Sequence, residues 1–248
     1  MRKFIDHNII LENGEMTIAG KELIANHPCM IDARNILNCL FPEDKSHFNL
    51  IDLGCLEGGY SVEFAKMGFE TLGIEVRQEN FECCEYVKKN TKLRNLHFVK
   101  DTVLNIKKYG SFDVVFCCGL FYHLEYPREF LRAISSQTRK ILILQTHFAP
   151  SQLINNNYSL SEITEHEGLG GRWFPEPDVK REISLMASWE NNKSFWLLKE
   201  NIIGQLKENS FDLVLEQFHN PFDYGNLSEY LLGEHNDYLR STFIGIKN

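Results

Sequence analysis

Three acids stand at the ends of short apolar runs in the first half of the chain. Leu50-Ile51 leads into Asp52, Leu72-Gly73-Ile74 ends in Glu75, and Leu96-His97-Phe98-Val99 is followed by Lys100-Asp101. An ionised carboxylate is an acceptor with two oxygens, able to take two donors side by side. Glu75 can therefore accept both hydroxyls of a ribose, and Asp101 can accept from the amino group of an adenine. Asp52 lies beside a glycine-rich turn, Gly54-Cys55-Leu56-Glu57-Gly58-Gly59. An anion there disfavours a diphosphate and suits a cation such as an amino group. Further along come side chains that move protons. Tyr122 and His123 follow the apolar run 112–118, and His147 follows 140–146. Each histidine is a candidate general base, or an acceptor-binding group, for a hydroxyl of high pKa. Tyr122 is expected to shape the pocket around them. The two histidines with Glu165 or Glu167 would also suit a divalent metal. No His-x-x-x-His spacing supports that, and no metal is expected.

The glycine spacing separates the nucleotide ligands. A dinucleotide turn reads G-x-G-x-x-G, and its second glycine lets a pyrophosphate approach the backbone. Here the spacing is Asp52-x-Gly54-x-Leu56-x-Gly58, which disfavours an NAD-dependent oxidoreductase. A ligand with a cationic end, a ribose and an adenine but no phosphate matches the three acids. S-adenosylmethionine is such a ligand.

The segments DLGCLEGGYS, GIEVR, Lys100-Asp101 and FDVVFCCGLFYHLEYP together resemble the class I S-adenosylmethionine-dependent methyltransferases. The resemblance covers 48–147 closely and continues as topology to the C-terminus. It implies that Asp52 lies near the methionine amino group, that Gly54, Cys55 and Gly58 line the cofactor with backbone, and that Tyr60 flanks it. It implies Glu75 on the ribose with Val76 packed on the adenine, and Asp101 and Thr102 at the adenine edge. Cys118 and Gly119 would lie under the methionine, with Leu120 nearby. Leu56 stands where the family's turn usually has a further glycine. Gly119-Leu120-Phe121-Tyr122-His123-Leu124 resembles methyltransferase-fold enzymes acting on the tRNA wobble uridine. GLGGRWFPEP and ASWENNKSFWLLKENI are more similar to bacterial methyltransferases of surface-polysaccharide gene clusters.

The elements that must position these residues alternate. Apolar runs at 49–53, 70–75, 96–99, 112–118 and 140–146 read as strands. Helical patterns fall at 62–67, 78–91 and 127–135, the last opening on Pro127 at a favoured first position. This predicts an α/β fold, a Rossmann-like sheet of seven mostly parallel strands with helices on both faces. The spacing also predicts a helix over 194–207, a sixth strand over 211–218, and a last, antiparallel strand over 240–247, joined by a polar link at 219–239. Residues 1–45 read as an N-terminal extension or cap, with a small hairpin turning at Asn13-Gly14 and a helix over 30–40, preceding a methyltransferase domain over 46–248. Residues 148–193 are poorly periodic and read as an insertion after the fifth strand. It carries His166, Arg172, Trp173 and Trp189. Arg172 would suit a phosphate or carboxylate on an acceptor, and Trp173 a sugar face.

Composition narrows the partners. The 248 residues carry a net charge of −8, which argues against a nucleic-acid surface. The seven cysteines include no Cys-x-x-Cys, so reduced buried thiols are expected, not a disulfide framework or thiolate zinc. No apolar run approaches a membrane span, and MRKFIDHNIILENGE has acids too early for a secretion signal. The expectation is a cytoplasmic S-adenosylmethionine-dependent methyltransferase acting on an oxygen of a small molecule, such as a sugar, a nucleotide-linked sugar or a phosphoryl-type capsule precursor. An RNA-modifying enzyme and a catalytically inactive binding subunit of the same fold remain as alternatives.

Overall fold

A computed structural model describes residues 3–153, 158–176, 185–218 and 239–248. After an N-terminal stretch, α1 (Pro28–Leu40) leads into β1 (Asn49–Leu53), α2 (Gly59–Lys66), β2 (Glu70–Glu75), α3 (Gln78–Thr91), β3 (Leu96–Lys100) and β4 (Phe112–Cys118). Then follow α4 (Pro127–Gln137), β5 (Thr138–His147), β6 (Thr164–His166), β7 (Leu169–Pro175), β8 (Lys193–Leu197), α5 (Lys199–Glu208), β9 (Leu213–Phe218) and β10 (Arg240–Ile246).

The main sheet has seven strands in the order β3-β2-β1-β4-β5-β10-β9. The first five are parallel to one another. β10 runs antiparallel to both neighbours, β5 and β9. The Rossmann-like sheet with a reversed last strand is thus present. β4 shows why its sequence is almost continuously apolar. Val115 and Cys117 pack into one core with α4 and α5, while Val114 and Phe116 pack into the other with α1, α2 and α3. A strand buried on both faces has no polar side to alternate with.

The stretch after β5 has its own architecture. β6, β7 and β8 form a three-stranded antiparallel sheet. β6 and β7 are joined by Glu167-Gly168, both at positive φ (54° and 76°), as a two-residue hairpin turn requires. Here the expected helix over 194–207 is corrected. Residues 193–197 are a strand, with Phe195 opposite Trp173 and Trp196 opposite Arg172, and the helix spans Lys199–Glu208. Ser194-Phe195-Trp196-Leu197 is a short buried apolar run. Such a run has no period of its own, and its aromatic content fits a strand once a partner is available. The expected polar link lies outside the described residues except for Leu239. Among the described residues no helix is long and apolar enough to cross a membrane.

Candidate active site

The parallel strands end together, and the turn after β1 folds back over β2. Ile74 O accepts from the N–H groups of Gly54 and Cys55 (3.0 and 2.9 Å). Gly54 has φ +72°, and a Cβ on it would meet Leu120 Cδ1 at 3.3 Å. Leu56 has φ +53° without being glycine. Its N–H donates to Glu75 Oε2 at 3.0 Å, while Glu75 Oε1 accepts from Arg77 N–H at 2.8 Å. The carboxylate at the end of β2 thus holds the turn in a backbone region that costs an L-residue about 1–2 kcal/mol. Asp52 lies beneath, buried, accepting from Ser61 Oγ at 2.6 Å. Burial pushes its carboxyl up to about 7, against the lowering effect of that hydroxyl, and the charge of Glu75 adds to the rise.

The N-terminal stretch is bound to this turn. Glu57, fully buried, accepts from the backbone N–H groups of Ile5, Asp6 (3.1 Å) and His7 (2.7 Å). His7 Nδ1 in turn accepts from Gly59 N–H at 3.0 Å. That bond needs an unprotonated nitrogen, and burial lowers the His7 pKa to about 4. Farther along, His27 Nδ1 lies 2.9 Å from the Tyr60 hydroxyl.

A cavity of about 290 Å³ opens over the strand ends. Glu75, Val76 and Thr102 line one end, and Cys118, Gly119, Leu120, Tyr122 and His123 the other. Gly54 and Tyr60 line it between, and Asp6, His7 and His27 close one side. Residues 185–191 cover another part of it. Asn80 Nδ2 donates to Leu185 O, Arg77 Nη2 donates to Ala187 O and Ser188 O, and the Arg77 guanidinium lies 5.0 Å from the Trp189 ring centroid. Beyond Val76 the cavity meets an open hollow walled by Asp101, Gln78 and Lys100. Asp101 accepts from Tyr109 Oη, Asn105 Nδ2 and Thr102 N–H (2.7, 2.7 and 2.8 Å). The Tyr109 and Asn105 bonds hold its carboxyl down at about 2.

At the other end, His123 Nδ1 lies 2.7 Å from Glu176 Oε1, which also accepts from Ser194 Oγ at 3.1 Å. A carboxylate partner places the ring proton on Nδ1 and leaves Nε2 as the acceptor. The backbone around His123 is braced as well. Asn191 Nδ2 donates to His123 O, and Trp196 Nε1 donates to Tyr122 O.

The methyltransferase-domain family profile matches residues 44–201, more than half of the chain. The chain belongs to that family. Over 151 residues it is 32% identical to the tRNA U34 carboxymethyltransferase of Desulfotalea psychrophila, covering 59% of this chain and 44% of that one. Over 101 residues it is 25% identical to the ubiquinone biosynthesis O-methyltransferase of Rickettsia bellii, covering 38% and 42%. The chain thus spans less than half the length of these curated relatives. The N-terminal domain of EvdMO1, solved in the presence of S-adenosylhomocysteine and D-fucose, superposes with a TM-score of 0.72 at 19% identity. That match covers 97% of this chain and 90% of that one, and it shows the shared fold.

The residues present fit the methyltransferase cofactor. At the glycine turn the cavity wall carries the carboxylate of Glu75, as a phosphate-free ligand with ribose hydroxyls requires, while Asp52 and Glu57 are buried behind it. Not every expected site residue lines it. Asp52, Cys55 and Gly58 are off the lining, and a Cβ on Gly58 would meet Phe98 Cζ at 2.5 Å. Asp101 faces the adjoining hollow. The structure places three others elsewhere. His147 packs its ring on Trp196 (4.9 Å, 14°) and edge-on to Tyr122, away from the cavity lining. Arg172 is buried and donates to the carbonyls of Pro150, Ser151 and Ser161. Trp173 packs on Phe195 and under Lys193 within the small sheet. Of the proposed metal ligands, Glu167 accepts from the first N–H groups of α4, at Arg128 and Glu129. Among the described residues no three His, Cys, Asp or Glu side chains gather as metal ligands.

Several residues that line the cavity or brace its walls escaped the sequence reading. Glu57 was visible as an acid inside a glycine turn, where a carboxylate has backbone donors within reach. Glu176 stood between two prolines in Pro175-Glu176-Pro177, a rigid extended setting for an acid. Asp6, His7 and Arg77 carried no signal.

Proposed function

We propose that this methyltransferase transfers a methyl group to a hydroxyl oxygen of a small molecule, with His123 as general base. The carrying observation is His123, paired with the buried Glu176, on the wall of the cavity that Glu75 and Gly119 also line. The cofactor supplies an already activated methyl on a sulfonium. What remains for the protein is alignment and proton removal. Glu75 and Val76 would hold the adenosine end, Gly54 and Gly119 the methionine end, and Asp101 and Thr102 the adenine edge. His123 Nε2, oriented by Glu176 through Nδ1, would take the proton of the attacking hydroxyl. Tyr122 would shape the acceptor side. His147, stacked on Trp196 and edge-on to Tyr122, would position that wall. The acceptor we favour is a sugar, a nucleotide-linked sugar or a phosphoryl-type polysaccharide precursor in the cytoplasm. The likeness of the 168–177 and 187–202 stretches to surface-polysaccharide methyltransferases supports this. So does the kinship with O-methyltransferases.

A second reading, tRNA as acceptor, is favoured by the 32% identity to the tRNA carboxymethyltransferase and opposed by the net charge of −8. Labelled S-adenosylmethionine incubated with hexoses, nucleotide sugars and bulk tRNA separates the two. The proposal expects label in a small molecule and a fall in kcat of about 10²–10⁴ in His123→Ala, with a smaller loss in Glu176→Gln. Label in tRNA alone would sink the small-molecule reading. Full turnover by His123→Ala would remove the base. Cofactor binding with no transfer to any acceptor would favour an inactive binding subunit.

A further inference from the structure

Arg240 opens β10 opposite His147, so its side chain reaches the acceptor end of the cavity from the last strand of the sheet. A guanidinium has five N–H donors. Among the described residues the one hydrogen bond it makes is from Nη2 to Gln145 Oε1, at 2.7 Å. Nε is buried without a hydrogen-bond partner, and no carboxylate among the described residues forms an ion pair with it. The guanidinium carbon lies 5.6 Å from the Tyr122 ring centroid. A Cβ built on Gly119 would meet Arg240 Nη2 at 3.5 Å and the Tyr122 hydroxyl at 3.7 Å, the two contacts within 4 Å among the described residues beyond its chain neighbours. Two donors therefore flank one small space above Gly119, in the cavity that His123 lines. Burial pushes the Tyr122 pKa up, which keeps the phenol protonated as a donor. A part-buried guanidinium without an anion is costly, and its planar fork matches a carboxylate or a phosphate.

We propose that Arg240, with the Tyr122 hydroxyl, holds an oxyanion of the methyl acceptor, a carboxylate or phosphate lying beside the hydroxyl that is methylated. The proposal rests on the acceptor lying on the His123 side of the cavity, and it narrows the acceptor to an acidic small molecule. The recognition of an acidic group that the sequence suggested for Arg172 thus passes to a residue in the cavity. The same oxyanion chemistry has a second source, the carboxylate of the cofactor's own methionine part, and the test must separate them.

The test uses wild type, Arg240→Gln and Arg240→Lys in calorimetry. Each protein is loaded with S-adenosylhomocysteine and titrated with inorganic phosphate and with glycolate. The expected result is anion binding to wild type, a loss of tenfold or more in Arg240→Gln, and an intermediate affinity in Arg240→Lys. S-adenosylhomocysteine affinity should stay within about twofold in all three. Two results would overturn the proposal. One is a tenfold loss of S-adenosylhomocysteine affinity in Arg240→Gln with unchanged affinity for 5′-methylthioadenosine, which lacks the amino-acid end; the anion would then be the cofactor's. The other is equal anion binding, or none, in all three proteins. These readouts need no turnover, so a failure of His123 as the base leaves them unaffected.

Discussion

Glu75 does two jobs with one carboxylate. It holds the Leu56 and Arg77 backbone and lines the cavity where a ribose would lie. Glu75→Gln should weaken S-adenosylhomocysteine binding by roughly tenfold or more, in line with the 1.5–3 kcal/mol of a hydrogen bond to a charged group. Unchanged affinity in calorimetry would remove the assignment. Asp52 adds a pH signature. Its carboxyl titrates near 7 in the free protein, and a cationic amino group favours the ionised form. Affinity for S-adenosylhomocysteine should therefore rise as pH increases from 5.5 to about 7 and then level off. In Asp52→Asn the affinity should be lower and flat across that range. At this scale the acids were legible because a carboxylate at a strand end has few structural uses. The partner of His123 was not, because Glu176 lies 53 residues away in the chain and only the return of β7 brings it there.

The glycine turn and the N-terminal stretch line the cavity, and the small sheet backs its Tyr122–His123 wall. Gly58 caps α2 at φ +80° and lies against Phe98. Gly58→Ala combines a strained conformation with a clash and should destabilise the fold by about 2 kcal/mol or more, measured by denaturant unfolding. Glu57→Gln tests the N-terminal clamp, since a neutral amide accepts backbone N–H groups more weakly than a carboxylate. Amide exchange at residues 5–7 should speed up in that variant while exchange in β1 and β4 stays slow. Equal exchange in both proteins would show that the stretch is held by its apolar contacts. The main helices followed from their period of 3.6 and the main strands from short apolar runs bounded by turn residues. The β8 strand did not, because a four-residue apolar run takes its conformation from β7.

For the whole molecule, buried histidines oppose folding at acid pH. Burial lowers the His7 pKa from 6.5 to about 4 and the His147 pKa from 6.5 to about 3. In the unfolded chain each takes up a proton below about 6.5, so unfolding binds protons there. Their contribution is full above pH 6.5 and is lost as pH falls toward 4 and 3. Asp52 acts in the opposite sense. With a folded pKa of about 7 against 3.8, it favours the folded state at low pH and loses that contribution as pH rises through 7. Thermal unfolding should therefore show His147→Gln losing less stability than wild type between pH 7.5 and 5, by about 2 kcal/mol at pH 5. Asp52→Asn should lose more. A His147→Gln profile parallel to wild type would refute this. At this scale the alternating sequence determined the α/β sheet and supplied the acids of the proposed adenosyl site, because apolar runs, glycine spacing and acids at strand ends are local properties. The tertiary structure alone decided what surrounds the methyl group. His123 meets Glu176, Arg240 meets Tyr122, and Arg172 binds carbonyls because segments far apart in sequence converge over the ends of β4, β5 and β10 and in the small sheet beside them, and no local pattern records which side chains meet there.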